Sequence, residues 1–176
     1  MTRRRGRKPH VVDTNVAVVA NQRSRESYSC ASACAQALLK IRNCGFLVID
    51  DGDRILAEYR RNGSLSGQPG AGDYFIKWVH DNRGRRDLVQ IVVITPKAGD
   101  PDDFTEFPSH QDLSNFDPSD RKFVAVANAH PAKPPILQGT DSKWWGWKDA
   151  LNACGITIEF LCPAEIEETY HRKFGE

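Results

Sequence analysis

Four acidic residues of this 176-residue chain stand where carboxylate chemistry would be placed: Asp13, Glu58, Asp120 and Asp141. Asp13 interrupts the apolar run "HVVDTNVAVVA", His10 to Ala20, two residues before Asn15. An uncompensated polar group in such surroundings costs roughly 2–7 kcal/mol, so both residues call for partners. Two carboxylates about 4 Å apart repel by roughly 4 kcal/mol at an effective dielectric near 20. Four sharing a pocket therefore need a cation to offset them, and an all-oxygen donor set matches Mg²⁺ or Mn²⁺, which retain several waters. A metal so held lowers the pKa of a bound water and steadies charge developing on a phosphoryl group. On this reading Asp13 is a ligand, and Asn15 supports it through hydrogen bonds to nearby backbone.

Positioning these residues requires elements that deliver them to one edge. Periodicity predicts a strand over His10 to Asp13, a helix from about Ser24 to Arg42, a strand "FLVID" (Phe46 to Asp50) and a helix "RILAEYRRN" (Arg54 to Asn62). "GSLSGQPGAGD", Gly63 to Asp73, reads as a loop, and it lacks the Gly-Lys-Ser/Thr ending of a phosphate loop. "YFIKWVHDN" then reads as a helix, and "DLVQIVVIT", Asp87 to Thr95, as a central strand. Residues Pro96 to Phe116 read as a long surface loop carrying at most a short strand, a length often functional. "PSDRKFVAVANAH", Pro118 to His130, has the proline and early acid of a helix start. The strand "PPILQGT", helix "KWWGWKDALNAC", strand "ITIEFL" and helix "PAEIEETYHRKF" complete the chain, without an internal repeat.

Strands alternating with helices imply an α/β fold with a mainly parallel sheet covered on both faces. In such sheets the functional crevice lies beyond the carboxyl ends of the strands. Asp13 ends the first strand, Asp141 follows "ILQGT", Asp120 sits in the first turn of a helix entering from that edge, and Glu58 leans across from the helix after the second strand. Asp117 competes with Asp120 in "FDPSD" but also suits a helix cap.

Composition sets the remaining limits. With 40% hydrophobic residues, residues 10–176 suffice for one domain behind a basic arm, 1–9, that holds Arg3, Arg4, Arg5, Arg7 and Lys8. Lys and Arg total 24 against 23 Asp and Glu, so net charge selects no partner. Asp13 and Asn15 break the apolar stretch a signal peptide would need, and no window approaches a membrane span; a cytoplasmic protein is the expectation. Cys30, Cys34, Cys44, Cys154 and Cys162 form no CxxC pair and are expected to be free thiols. The five histidines show no paired metal spacing, and "FLVIDDGDR" imitates the acidic pair of receiver domains without their next strand end. Trp144, Trp145 and Trp147 suit core packing or a dimer surface better than base stacking.

In this setting the chain resembles the PIN-domain nucleases. "VVDTNV", Val11 to Val16, looks like that family's opening motif, with Asp13 as its first acid and Asn15 as its supporting polar residue. "ILAEYRRN" resembles the helix that supplies the second acid, here Glu58, and "DRKFVAVANAH" the helix of the third, here Asp120. "ILQGTDSKWW" is similar to the strand end bearing a Thr and the fourth acid, here Thr140 and Asp141, although the family often separates the two and adds a further acid where Lys143 stands. The resemblance implies a three-layer α/β/α sandwich and cleavage of single-stranded RNA with Mg²⁺ or Mn²⁺. Arg60, Arg61, Arg121, Lys122 and Lys143 are then the expected nucleic-acid-binding residues. It also implies roles such as the toxin of a toxin–antitoxin pair, with a protein inhibitor (antitoxin) and a homodimer among its partners. The alternative is a non-catalytic PIN-like module that binds RNA or protein.

Overall fold

Runs of Val, Ile and Leu too short for helices, each followed by a segment of helical period, give a layered α/β chain. In the computed structural model, which describes residues 6–23, 25–66 and 70–175, the order is β1 (Lys8–Val12), α1 (Thr14–Ala20), α2 (Tyr28–Cys44), β2 (Gly45–Asp50), α3 (Arg54–Asn62), α4 (Ala71–Asn82) and β3 (Val89–Val92). There follow β4 (Pro96–Lys97), β5 (Asp100–Phe104), α5 (Arg121–Ala129), β6 (Ile136–Gln138), α6 (Lys143–Ala153), β7 (Ile158–Phe160) and α7 (Pro163–Phe174). Five strands form one sheet in the order β3-β2-β1-β6-β7, with every pairing parallel. Helices flank it, making the three-layer α/β/α sandwich that the sequence predicts.

The strand order locates the crevice. From β1 the chain builds outward through β2 and β3, then returns to the other side of β1 to lay down β6 and β7. Connections therefore diverge between β1 and β6, where Val11 and Val12 stand opposite Ile136 and Leu137. A gap opens at the carboxyl ends of such a pair because the chain leaves it in opposite directions. The residues leaving it are Asp13 on one side and Gly139 to Asp141 on the other.

Several expectations are corrected. Between the expected strand and helix, where periodicity assigns no element, Thr14–Ala20 is helical, capped by Asp13, and buries Val16, Ala17 and Val19. Its all-apolar β-branched character hid a helix whose faces are nearly all covered. "DLVQIVVIT" supplies an edge strand rather than a central one, and Ile91 and Val93 are exposed. The stretch 96–116 is not an open loop, because β4 and β5 pair antiparallel and Phe104, Leu113 and Phe116 enter the core. In the basic arm, Arg7 donates to the Gly45 carbonyl at 2.8 Å and strand pairing begins at Lys8; Arg3, Arg4 and Arg5 lie outside the described residues.

The cysteine expectation fails for two residues. Cys30 on α2 and Cys162 at the head of α7 form a disulfide with Cα atoms 5.4 Å apart and 132 residues between them in sequence. Packing the end of the chain against α2 brings them together, and no local spacing signals it. Cys34, Cys44 and Cys154 are free. Cys34 lies beside the bridge, where burial pushes its thiol up to about 12 and keeps it from acting as a thiolate. No helix among the described residues is long and apolar enough to cross a membrane.

Candidate functional site

Asp13 is fixed from both sides. Its N–H donates to the Leu137 carbonyl at 3.0 Å, which ties the end of β1 to β6, and its carboxylate accepts the Asn15 N–H at 2.7 Å as the cap of α1. The side chain of Asn15 then crosses the divergence point. Its Oδ1 accepts the Thr140 N–H at 2.7 Å, and its Nδ2 donates to the Thr140 hydroxyl at 3.3 Å. Asn15 thus fastens the head of α1 to the turn that carries Asp141. A Cβ at Gly139 would lie 2.4 Å from Asn15 Oδ1, so this close approach requires glycine. Asp141 in turn accepts the Lys143 N–H at 3.1 Å, at the start of α6.

The other two acids come from helices. Glu58 projects from α3 and meets the ammonium of Lys122 at 2.5 Å. Asp120 caps α5 after a 3-10 turn, Pro118–Asp120, and its Oδ2 accepts the indole N–H of Trp144 at 3.3 Å. Tyr59, fully buried beside Glu58 in the chain, donates its hydroxyl to the Val12 carbonyl at 2.5 Å. That bond anchors α3 to the strand that ends in Asp13.

The electrostatics show that the four carboxylates share one region. Burial pushes Asp13 well above the ordinary carboxylate range, and Asp120, Glu58 and Asp141 push it further, against the Asn15 N–H. Asp120 is raised to about 7 by burial first, then by Asp141 and Asp117, with Lys122 opposing. Asp13 and Asp120 feel the neighbouring acids because burial leaves little water to screen the repulsion. The cluster is nonetheless open: among the described residues, the group of three potential ligands whose atoms fall within 4.8 Å of one another is Cys30, Cys34 and Cys162, not a trio of these acids. Lys122 draws Glu58 aside.

The supporting and basic residues divide. Asn15 and Thr140 hold the site together, as above. Asp117 accepts both the N–H and the hydroxyl of Ser119 and pairs with Lys143 at 3.0 Å; these partners, Ser119 first, hold it below the usual carboxylate range. It is therefore a capped, paired residue on the rim, and Asp120 faces the other acids. Lys122, expected to touch nucleic acid, is buried inside the cluster and also donates to the Ser119 carbonyl. Arg121 is turned to Asp103 at 3.4 Å and lies over the Phe107 ring. Arg60 and Arg61 are exposed, and Arg61 shares a cleft of about 360 Å³ with Glu58, Arg54 and Lys122. Sequence reasoning missed the anchoring role of Tyr59, the Trp144 bond to Asp120 and the internal position of Lys122. Only the helical spacing of Ile55, Leu56 and Tyr59 in "RILAEYRRN" hinted at the first.

A donor set made wholly of carboxylate oxygens fits a hard divalent cation, and Mg²⁺ needs only one or two direct carboxylates because it keeps waters. An open cluster with strongly repelling acids meets that requirement. The comparisons with known proteins found no match among family models, curated proteins or solved structures.

Proposed function

We propose that the chain is a metal-dependent endoribonuclease of PIN-like type that cleaves single-stranded RNA. The observation supporting this reading is the convergence of Asp13, Glu58, Asp120 and Asp141 at the β1–β6 divergence, where burial and mutual repulsion raise Asp13 and Asp120. These four would hold Mg²⁺ or Mn²⁺, with Glu58 joining as Lys122 moves away. When bound, the ion supplies a nucleophilic water near neutral pH and offsets charge on the phosphoryl group. The chain's own residues prepare that chemistry. Asn15 keeps Asp13 and the Asp141 turn in register, Trp144 orients Asp120, and Arg54 and Arg61 line a cleft that can carry phosphates past Glu58. On this reading the chain's partners would be single-stranded RNA and, as for a toxin, an inhibitor protein. The Cys30–Cys162 bridge weighs against a permanently reducing compartment.

A second reading has its own observation. Lys122 already neutralises Glu58 from within, which suits a non-catalytic PIN-like module whose acids no longer need a metal. Cleavage of a labelled single-stranded RNA with Mn²⁺ or Mg²⁺, set against EDTA and the Asp13→Asn protein, separates the two. Metal-dependent cutting that Asp13→Asn abolishes supports the nuclease. RNA binding without cutting supports the module, and equal cutting by both proteins refutes the assignment of Asp13.

A further inference from the structure

A second cleft, of about 620 Å³, opens between α6, α7 and the turn at Pro118. Trp147, Tyr170 and Phe174 line it, together with Asp112, Asn115, Asp117 and Lys143. Its volume is that of a small-ligand site, typically about 300–1,000 Å³. We propose that this cleft seats one unpaired nucleobase of the strand whose phosphate lies at the acidic centre. The proposal rests on the nuclease reading for the position of that phosphate.

Three observations carry it. First, the aromatic rings are assembled by design of the two helices rather than left over at the chain's end. Gly146 on α6 lets Tyr170 of α7 come close, since a Cβ there would lie 2.8 Å from the ring. Tyr170 in turn stacks with Phe174 at 5.3 Å between centroids, and Trp147 is backed by Phe116 at 4.4 Å. Second, one residue borders both places. Lys143 lines the cleft, pairs with Asp117 at 3.0 Å and donates its backbone N–H to Asp141 at 3.1 Å, which joins the aromatic surface to the turn that carries an acid. A base against the rings would leave its backbone phosphate within reach of the Lys143 ammonium. Third, this cleft and the one lined by Glu58, Arg54 and Arg61 both include Pro118. An extended strand crossing Pro118 would present phosphates to arginines on one side and a base to aromatics on the other. Flat faces accept any unpaired base by stacking, whereas a base held in a duplex has no free face to offer.

The other tryptophans are differently employed. Trp144 is buried and bonded to Asp120, and Trp145 stacks on Phe160 at 5.1 Å, outside this cleft. Trp145→Leu, on the helix that carries Trp147 but outside the cleft, is therefore the control for removing an aromatic side chain.

The test measures affinity of the full-length Asp13→Asn chain, in EDTA, for a short fluorescent oligoadenylate by anisotropy. Adding Tyr170→Leu or Phe174→Leu is expected to weaken binding about tenfold each, and adding Trp145→Leu to leave it unchanged. Far-UV circular dichroism verifies folding, and Phe174→Leu, at an exposed position, keeps the test valid if Tyr170→Leu unfolds. Duplex of the same length should bind more weakly than single strand. The proposal is overturned if both cleft variants bind like the parent, if duplex binds as well as single strand, or if no oligonucleotide binds. Cleavage by the otherwise wild-type chain separates the two claims. Cutting that ignores Phe174→Leu leaves the nuclease and refutes the cleft, and ring-dependent binding without cutting leaves the cleft and refutes the nuclease.

Discussion

Replacing Asp120 by Asn should stabilise the metal-free protein at pH 8 and do nothing at pH 4. Asp120 is raised from 3.8 to about 7. Its folded-state pKa therefore exceeds its unfolded one, so the folded protein holds a proton that the unfolded chain has lost between those values. Stability from this group is full below the unfolded pKa and is lost as pH rises through the folded one. At 1.36 kcal/mol for each tenfold change in proton affinity, the loss by pH 8 is about 4 kcal/mol, and water that still reaches the rim reduces it to about 2–4 kcal/mol. Asn retains a carbonyl oxygen for the Trp144 indole and carries no charge, so it avoids the loss.

The assay is urea denaturation in EDTA across that pH range for both proteins. The variant should gain about 2–4 kcal/mol at pH 8 and match wild type at pH 4. On the nuclease reading, adding Mn²⁺ should reverse the order at pH 8, because binding to the folded state alone stabilises by mass action and the variant would lack one of the proposed ligands. A wild-type stability flat with pH, or a variant equally destabilised at both ends, would refute the claim that burial and like charges strain this carboxylate.

Other substitutions probe the remaining supports. Asn15→Ala strands the part-buried Thr140 N–H and should cost about 1–3 kcal/mol by the same denaturation, together with, on the nuclease reading, most RNA-cleaving activity; an unchanged midpoint would mean that the two turns hold their register without it. Lys122→Met removes the ammonium paired with Glu58, so it should tighten Mn²⁺ binding in calorimetry while lowering stability in EDTA; weaker Mn²⁺ binding would place Lys122 outside the acidic field. Thiol titration of the unfolded, unreduced protein should find three free cysteines, and reduction should lower stability by about 5 kcal/mol for a loop of this length. Five reactive thiols before reduction would disprove the bridge.

The layered fold was legible because its signals are local and repeated. "FLVID" and "RILAEYRRN" sit at β2 and α3 within a residue, each carrying its own periodicity and terminus. The places of Asp13 and Asp141 follow from strand ends once the sheet is taken as parallel, whereas Glu58 and Asp120 come from helices. What stayed hidden depends on distant contacts. Helix α1 is apolar on nearly every side because α2, α4 and the sheet cover it, so its pattern has no polar face to give a period. The edge position of β3 depends on where the chain turns back, which its Val and Ile residues do not encode. Lys122 reads as a surface cation in sequence, and only the approach of α3 to α5 encloses it. The disulfide joins residues that no local rule relates.

The position of Lys122 gives the acidic centre two ways to offset its charge. Four carboxylates from four elements cannot be kept close by backbone geometry alone, because their repulsion would favour any movement that lets water in. An internal ammonium against Glu58 relieves part of that repulsion and leaves Asp13 and Asp120 raised. The raised values of Asp13 and Asp120 mark the part left unrelieved. A divalent cation would supply it, and Lys122 would then be the counter-ion that keeps the empty site folded. Proton uptake is the other route, and it weakens as pH rises toward 8. On the nuclease reading the site should therefore depend most on a metal where a water nucleophile is also easiest to form, so that stability and catalysis would draw on the same ion.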